Sequence, residues 1–193
     1  MSDFWFYFKI GLFHVLDWTA YDHVLFLVVL SVPYVIKDWK KVLALVTAFT
    51  VGHCLSLALA SYQVVSVNSN VVEFLIPLTI LFTALYNVIR PVKQKASKLN
   101  LMLILTLFFG LIHGFGFSSF FVNLTSHLDY KSVPLVYFAL GIESAQIIVV
   151  LVVLVLSFIA QYLLRISIRD WVLFLSAVVI GMVLPILAGS FVW

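Results

Sequence analysis

The chain has 193 residues, of which 64% are aliphatic, aromatic or cysteine and only 10% are charged, and its mean hydropathy is +1.20. A soluble domain usually has roughly 45–50% apolar and about 25% charged residues, so this chain has too few charges to cover a water-facing surface. The composition excludes the soluble globular and disordered classes and predicts an all-α polytopic transmembrane helical bundle embedded in the lipid bilayer. The net charge of +3 does not indicate a nucleic-acid partner, and a single cysteine excludes an intrachain disulfide.

Residues 1–20 form an apolar, aromatic leading segment with Asp3 where a signal peptide would be basic, so we expect it to remain as a helix. Six stretches that are apolar enough to cross a bilayer follow, near residues 21–36, 42–62, 71–89, 99–122, 133–164 and 171–191. One straight helix over residues 3–36 would measure about 50 Å against a hydrocarbon core of about 30 Å, which predicts a break near Trp18, Thr19 and Ala20. The sequence therefore predicts a single transmembrane domain, residues 1–193, with six spans plus an N-terminal interfacial or re-entrant helix.

The basic residues are concentrated in the breaks after the first, third and fifth predicted spans. They are Lys37, Lys40, Lys41, Arg90, Lys93, Lys95, Lys98, Arg165 and Arg169, and only Lys9 and Lys131 lie elsewhere. Loops rich in lysine and arginine stay on the cytoplasmic side of a membrane. We therefore expect these loops to be cytoplasmic and, with six spans, both termini to be outside.

Ionisable side chains within apolar spans are costly and need a partner or a function. This chain has Asp22 and His23 on the first predicted span, His53 on the second, His113 on the fourth and Glu143 on the fifth. Counted at 1.5 Å per residue, the three histidines lie roughly 18–23 Å above the cytoplasmic boundary and Glu143 about 15 Å below the outer edge. This common depth predicts one polar pocket inside the bundle. Glycines around His113, at positions 110, 114 and 116, predict that a neighbouring helix approaches closely there.

Neutral imidazole suits divalent Zn, Ni, Co and Cu ions, and a carboxylate balances part of their charge. The predicted metal ligands are His23, His53, His113, Asp22 and Glu143, with His14, Asp17 and Gln146 as additional candidates, and no organic cofactor is expected. Asp22 and His23 point about 100° apart on a helix, so one of them is expected to orient the site rather than bind. His14 joins the site only if the first helix is broken, because on a continuous helix it points almost opposite His23. The alternative is that these groups only hydrogen-bond to one another across helices.

Four blocks of the sequence carry a family resemblance: GLFHVLDWTAYDHVLF (11–26), FTVGHCLSLALA (49–60), GLIHGFGFS (110–118) and FALGIESAQ (138–146). Together they resemble the HupE/UreJ family of small bacterial membrane proteins, which are hydrogenase and urease accessory proteins. The resemblance implies a multi-pass protein of the bacterial cytoplasmic (inner) membrane and, as in some members, a nickel or cobalt permease. It also implies that Asp22, His23, His53, His113 and Glu143 are the characteristic polar positions. The chain departs from the family pattern at Ala20, where glycine is common, and at His14, which lies farther from Asp22 than the family's first histidine.

Three functions are compatible with these residues. The first is binding and transport of a divalent transition-metal ion of the Ni, Co or Zn class, which we expect to weaken in acid because the ligands must be deprotonated. The second is an intramembrane zinc-dependent hydrolase that acts on a lipid or lipid-linked substrate, with Glu143 or Asp22 as the base. The third is a non-transporting accessory or scaffold protein whose polar residues only join helices. The sequence favours the permease and leaves open both the identity of the metal and the formation of a homo-oligomer.

Overall fold

The computed structural model describes residues 3–17, 21–90 and 99–190. In these ranges the chain forms seven α-helices and no β-strand. They are α1 (Asp3–Leu16), α2 (Asp22–Ser31), α3 (Trp39–Ser61), α4 (Ser69–Ile89), α5 (Leu99–Thr125), α6 (Ser132–Tyr162) and α7 (Ile168–Gly189), with a short 3-10 turn at Ile36–Asp38. The expected all-α bundle is confirmed for the described residues, and the predicted break at residues 18–20 lies outside them.

Five segments are long and apolar enough to cross a membrane, so the chain is a multi-pass membrane protein. They are Ile36–Ser61, Ser69–Ile89, Leu99–Thr125, Ser132–Tyr162 and Ile168–Gly189. The first predicted span, near residues 21–36, is not confirmed, because the helix found there, α2, has only 10 residues. A helix of this size is about 15 Å long, half the thickness of the hydrocarbon core.

The early end of α2 follows from Pro33. Proline has no backbone N–H, so it cannot donate to the carbonyl four residues earlier, which belongs to Val29. The side-chain amide of Asn87 on α4 donates to this carbonyl instead, at 2.6 Å. A side chain from a distant helix thus satisfies the backbone group that proline leaves without a donor.

Helices α3 and α5 lie against each other through glycines. The glycine contacts are Gly52 to the carbonyl of Leu107, Gly110 to the carbonyl of Phe49, and Gly114 to the carbonyl of His53. A Cβ at any of these glycines would overlap the facing oxygen, so glycine is required for backbones this close. The close approach predicted around His113 is confirmed, and it fixes the relative position of His53 and His113.

Helices α1 and α2 lie along α6, one after the other. Gly11 of α1 faces the backbone of α6, and Gly141 of α6 faces the backbone of α1. Beyond α2, residues 35–37 line a cavity together with Ser157 and Gln161 near the far end of α6. The N-terminal part of the chain therefore extends along most of α6 as two short helices.

Helix α7 packs on α4, and Arg169 closes the end of α4 where the two meet. Its guanidinium group donates to the carbonyls of Asn87 at 3.1 Å, Val88 at 2.5 Å and Arg90 at 3.2 Å. The last carbonyls of a helix have no partner within the helix itself. Arg169 supplies that partner at the end of the bundle where the sequence places most of the positive charge.

Candidate metal centre

Three histidines from three helices meet at one place inside the bundle. His14 is in the last turn of α1, His23 is in the first turn of α2, and His53 is in the middle of α3. Each offers one potential ligand atom, and these three atoms lie within 4.8 Å of one another. The ring centroids are 4.6 Å apart for His14 and His23 and 5.5 Å apart for each of the other two pairs.

The separation of α1 from α2 explains how His14 reaches this group. On one continuous helix, the side chains of His14 and His23 would point in nearly opposite directions. Because α1 ends at Leu16 and α2 begins at Asp22, the two histidines are not on one continuous helix, and their rings meet edge to face. The sequence left His14 as an additional candidate, and the structure places it in the group.

Most of the imidazole nitrogens of His14, His23, His53 and His113 are buried without a hydrogen bond. His53, His113 and His23 are 0%, 1% and 4% exposed. Six imidazole nitrogens have no hydrogen-bond partner among the described residues: Nε2 of His14, both nitrogens of His23 and of His53, and Nδ1 of His113. Each buried polar atom without a partner costs about 1–3 kcal/mol, so their concentration here indicates a ligand-binding site. Unprotonated imidazole nitrogens bind transition metals, and the donor set therefore fits such an ion.

His113 lies next to the group and is held by Thr79 of α4. Its ring centroid is 5.3 Å from that of His23, and its Nε2 lies 3.1 Å from the Thr79 hydroxyl oxygen. The Thr79 hydroxyl oxygen also lies 2.8 Å from the carbonyl oxygen of Ile76; when its one proton is donated to that carbonyl, Nε2 of His113 is the donor to Thr79. This tautomer leaves the lone pair of His113 on Nδ1, and metal-binding histidines are commonly fixed in this way.

Phenylalanine rings surround the histidines. Phe49 and Phe138 are fully buried, and the Phe49 ring centroid is 5.1 Å from His113 and 6.0 Å from His23. On another side, the Phe117 ring centroid lies 3.9 Å from that of His14. The rings make the surroundings of the histidines apolar, which strengthens the interaction between the imidazoles and a cation. These rings were not identified from the sequence as part of the site. The chain has 18 phenylalanines, and nothing in the spacing of these three distinguishes them from the others.

Glu143 and Gln146 belong to a separate hydrogen-bond network. The Glu143 carboxylate accepts hydrogen bonds from the hydroxyls of Thr47, at 2.6 Å, and Thr50. The Thr50 hydroxyl oxygen also lies 2.8 Å from the amide oxygen of Gln146. Thr47 is exposed and Glu143 is half-buried, so the network extends from the interior to the surface between α3 and α6. Glu143 is not in the compact group of ligand atoms formed by the described histidines.

The other predicted polar residues lie around the group or away from it. Asp22 directly precedes His23 in the first turn of α2, and its side chain is half-buried. Asp17 follows α1, is exposed, and lines a cavity together with His14. His127 is exposed in the connection between α5 and α6, far along α5 from His113.

The long apolar helices and the buried histidines together define a multi-pass helical membrane protein whose bundle encloses a polar, histidine-rich centre. The chain belongs to the HupE/UreJ family: the model of that family, described as HupE / UreJ protein, matches residues 1–188. The match confirms the resemblance carried by the four sequence blocks and covers nearly the whole chain. Comparisons with curated proteins and with solved structures gave no match.

Proposed function

We propose that the chain binds a divalent transition-metal ion at His14, His23 and His53 and moves it across the membrane. The observation that carries this proposal is the group of three ligand atoms within 4.8 Å of one another. Two nitrogens bound tetrahedrally to one metal at about 2.0–2.1 Å are about 3.3–3.4 Å apart. Each pair therefore has to close by at most about 1.5 Å to hold an ion. His14 and His23 are on two separate short helices, which are suited to such a movement.

Residues next to the three histidines could supply a fourth ligand and balance part of the charge of the ion. Nδ1 of His113 is buried and has no partner among the described groups, so His113 is our candidate for a fourth ligand. Three or four neutral imidazoles carry no charge, and Asp22, next to His23, is placed to balance part of the charge of the ion. Glu143 remains a predicted ligand that would have to leave the hydroxyls of Thr47 and Thr50. These donors suit Ni, Co and Zn alike, and the family resemblance favours nickel or cobalt.

We infer that α1 and α2 together form one interrupted crossing of the membrane. They have 14 and 10 residues, so they are about 21 Å and 15 Å long, and they lie one after the other along α6. With the five long segments this gives six crossings, with the basic connections in the cytoplasm and both termini outside a bacterial cytoplasmic membrane. Transporters commonly place the substrate site at the break of such a discontinuous helix, where His14 and His23 lie here.

The test is metal uptake into liposomes that contain the purified protein, measured by elemental analysis with Ni²⁺ or Co²⁺ outside. We expect uptake by the wild type, loss of uptake in His53→Ala, and unchanged uptake in His127→Ala, which removes an exposed histidine. Equal uptake by His53→Ala and wild type would contradict transport through this site. A purified protein that holds no metal, and whose stability is indifferent to chelators, would favour the accessory or scaffold function.

A metal-dependent hydrolase is the second candidate, and one observation favours it. A cavity that is open at the surface of the bundle reaches His14, as a portal for a lipid or lipid-linked substrate would. Of the two predicted bases, Glu143 is engaged by Thr47 and Thr50, which leaves Asp22. Release of fatty acid or head group from bilayer lipids by the zinc-loaded protein, lost in Asp22→Asn, would support this function over transport.

A further inference from the structure

A groove between α1 and α5 leads from the surface of the bundle to the histidines. It has a volume of about 620 Å³ and is lined by Ile10, Phe13, His14 and Asp17 from the first segment and by Phe117 and Phe120 from α5. Phe13 and Phe120 are 62% and 52% exposed, so the groove opens on the outside of the bundle. Its titratable side chains are His14 and Asp17, which lie within one turn of each other along the chain.

Phe117 lies between this groove and the histidine group. Its ring centroid is 3.9 Å from that of His14, and the ring stacks on buried Phe138 at 5.4 Å with an interplanar angle of 4°. The Phe117 ring also lies 4.8 Å from the ring of exposed Phe120. Phe138 in turn lies 6.4 Å from His53. A row of three aromatic rings therefore extends from the open groove to the buried ligands, with Phe117 in the middle.

We propose that this groove is the route by which the cation reaches the histidines, and that Phe117 is its gate. The proposal rests on the proposed metal binding and adds the path and the residue that controls it. Aromatic rings line the groove, and aromatic faces attract cations that have lost part of their water. His14 borders the groove and therefore receives the ion before His23 and His53. The Phe117 ring must turn aside for the ion to reach the buried Nε2 of His14, and its return covers that nitrogen again.

A second cavity competes as a route, but it does not contact the histidines. It has a volume of about 420 Å³ and is lined by the polar side chains of Ser66, Ser118, Ser119 and Asn123, together with small and branched apolar residues. Neither the three clustered histidines nor His113 lines it, whereas His14 lines the groove. The groove is therefore the more direct path.

The experiment measures how fast Co²⁺ binds to the purified protein, by stopped-flow absorbance, together with the occupancy at equilibrium. We expect Phe117→Ala to bind about tenfold faster than the wild type, which corresponds to a barrier lowered by about 1.4 kcal/mol, and to reach the same occupancy. Phe117→Trp should bind more slowly, and Phe117→Leu serves as a milder change if alanine impairs folding. Phe108→Ala is the control, because Phe108 is an exposed phenylalanine of α5 that does not line the groove. Unchanged rates at normal occupancy in every Phe117 variant would overturn the gate.

Modification by diethylpyrocarbonate separates a failed gate from a failed metal site. The reagent acylates imidazole, and mass spectrometry compares the rate at His14 with that at exposed His127. One outcome is that the protein binds no Co²⁺ while His14 is modified faster in Phe117→Ala than in Phe108→Ala. That result would support the role of Phe117 as a gate and reject the proposed metal binding. Equal rates of His14 modification in the two variants would reject the gate whether or not the protein binds metal.

Discussion

Replacing Gly110 by alanine tests whether the glycine contact between α3 and α5 positions the histidines. The added Cβ would overlap the carbonyl oxygen of Phe49 and would lie 3.0 Å from the carbonyl carbon of Phe49 and 3.1 Å from the backbone nitrogen of His53. Backbone atoms cannot rotate away, and an ordinary C···O contact is about 3.3–3.6 Å, so the helices must separate by roughly 1 Å. Overpacking of this kind costs about 1–3 kcal/mol. Because the displaced segment carries His53, we also expect Co²⁺ affinity to fall by about 10–100-fold.

Gly181→Ala is the matched control on α7. A Cβ at Gly181 would meet no other described atom within 4 Å, and alanine is better than glycine in a helix by about 0.8–1.0 kcal/mol. The two variants should therefore change stability in opposite directions. Thermal unfolding followed by circular dichroism in one detergent, together with Co²⁺ titration, measures both effects. If Gly110→Ala unfolds at the same temperature as Gly181→Ala and binds Co²⁺ like the wild type, the reasoning from close packing is refuted.

Three further predictions concern other parts of the structure. Thr79→Val removes the acceptor that fixes the tautomer of His113, so a Co²⁺ titration should show about tenfold weaker binding, which Thr79→Ser restores; equal affinity in all three proteins would contradict this role. Arg169→Ala leaves three carbonyls at the end of α4 without their donor, and we expect the free energy of unfolding to fall by about 1–3 kcal/mol with no change in Co²⁺ affinity. A loss of affinity in Arg169→Ala that matches that of His53→Ala would show instead that the end of α4 shapes the site. Acidification should release bound Co²⁺, because protons compete for the imidazole lone pairs, and spectra that do not change between neutral and acidic buffer would argue against histidine ligands.

The long helices could be predicted from the sequence because the physics of a bilayer leaves little choice. Backbone groups in hydrocarbon must be satisfied within the segment, so a long apolar stretch becomes a helix. The stretch predicted at 42–62 is α3, Trp39–Ser61, and the stretch predicted at 71–89 is α4, Ser69–Ile89. The first span was predicted to be longer than α2, because the apolar run continues past Pro33 and composition alone does not register the hydrogen bond that proline removes.

The sequence predicted that three of the histidines lie near one another, but not which histidines form the compact group of ligand atoms. Counting residues from the basic loops placed His23, His53 and His113 in one layer, because rise per residue in a helix is constant. Which of them come closest depends on the rotation of each helix about its axis, and packing determines that rotation. The interruption between α1 and α2 brings in His14, and hydroxyls on α3 hold Glu143 in a neighbouring network. Such contacts between distant segments leave no periodic signal in the sequence.

The contact between α1 and α6 has a consequence for the order in which the protein is assembled during translation. Gly11 and Gly141 face each other's helices although they are 130 positions apart in the chain (141 − 11). The main surface on which α1 rests is therefore synthesised long after α1 has left the ribosome, and α1, with 14 residues, is too short to anchor itself across the bilayer in the meantime. His14 therefore lacks the surface that holds it in place until α6 is made, and a nascent chain that stops before α6 contains all three clustered histidines without the scaffold that unites them.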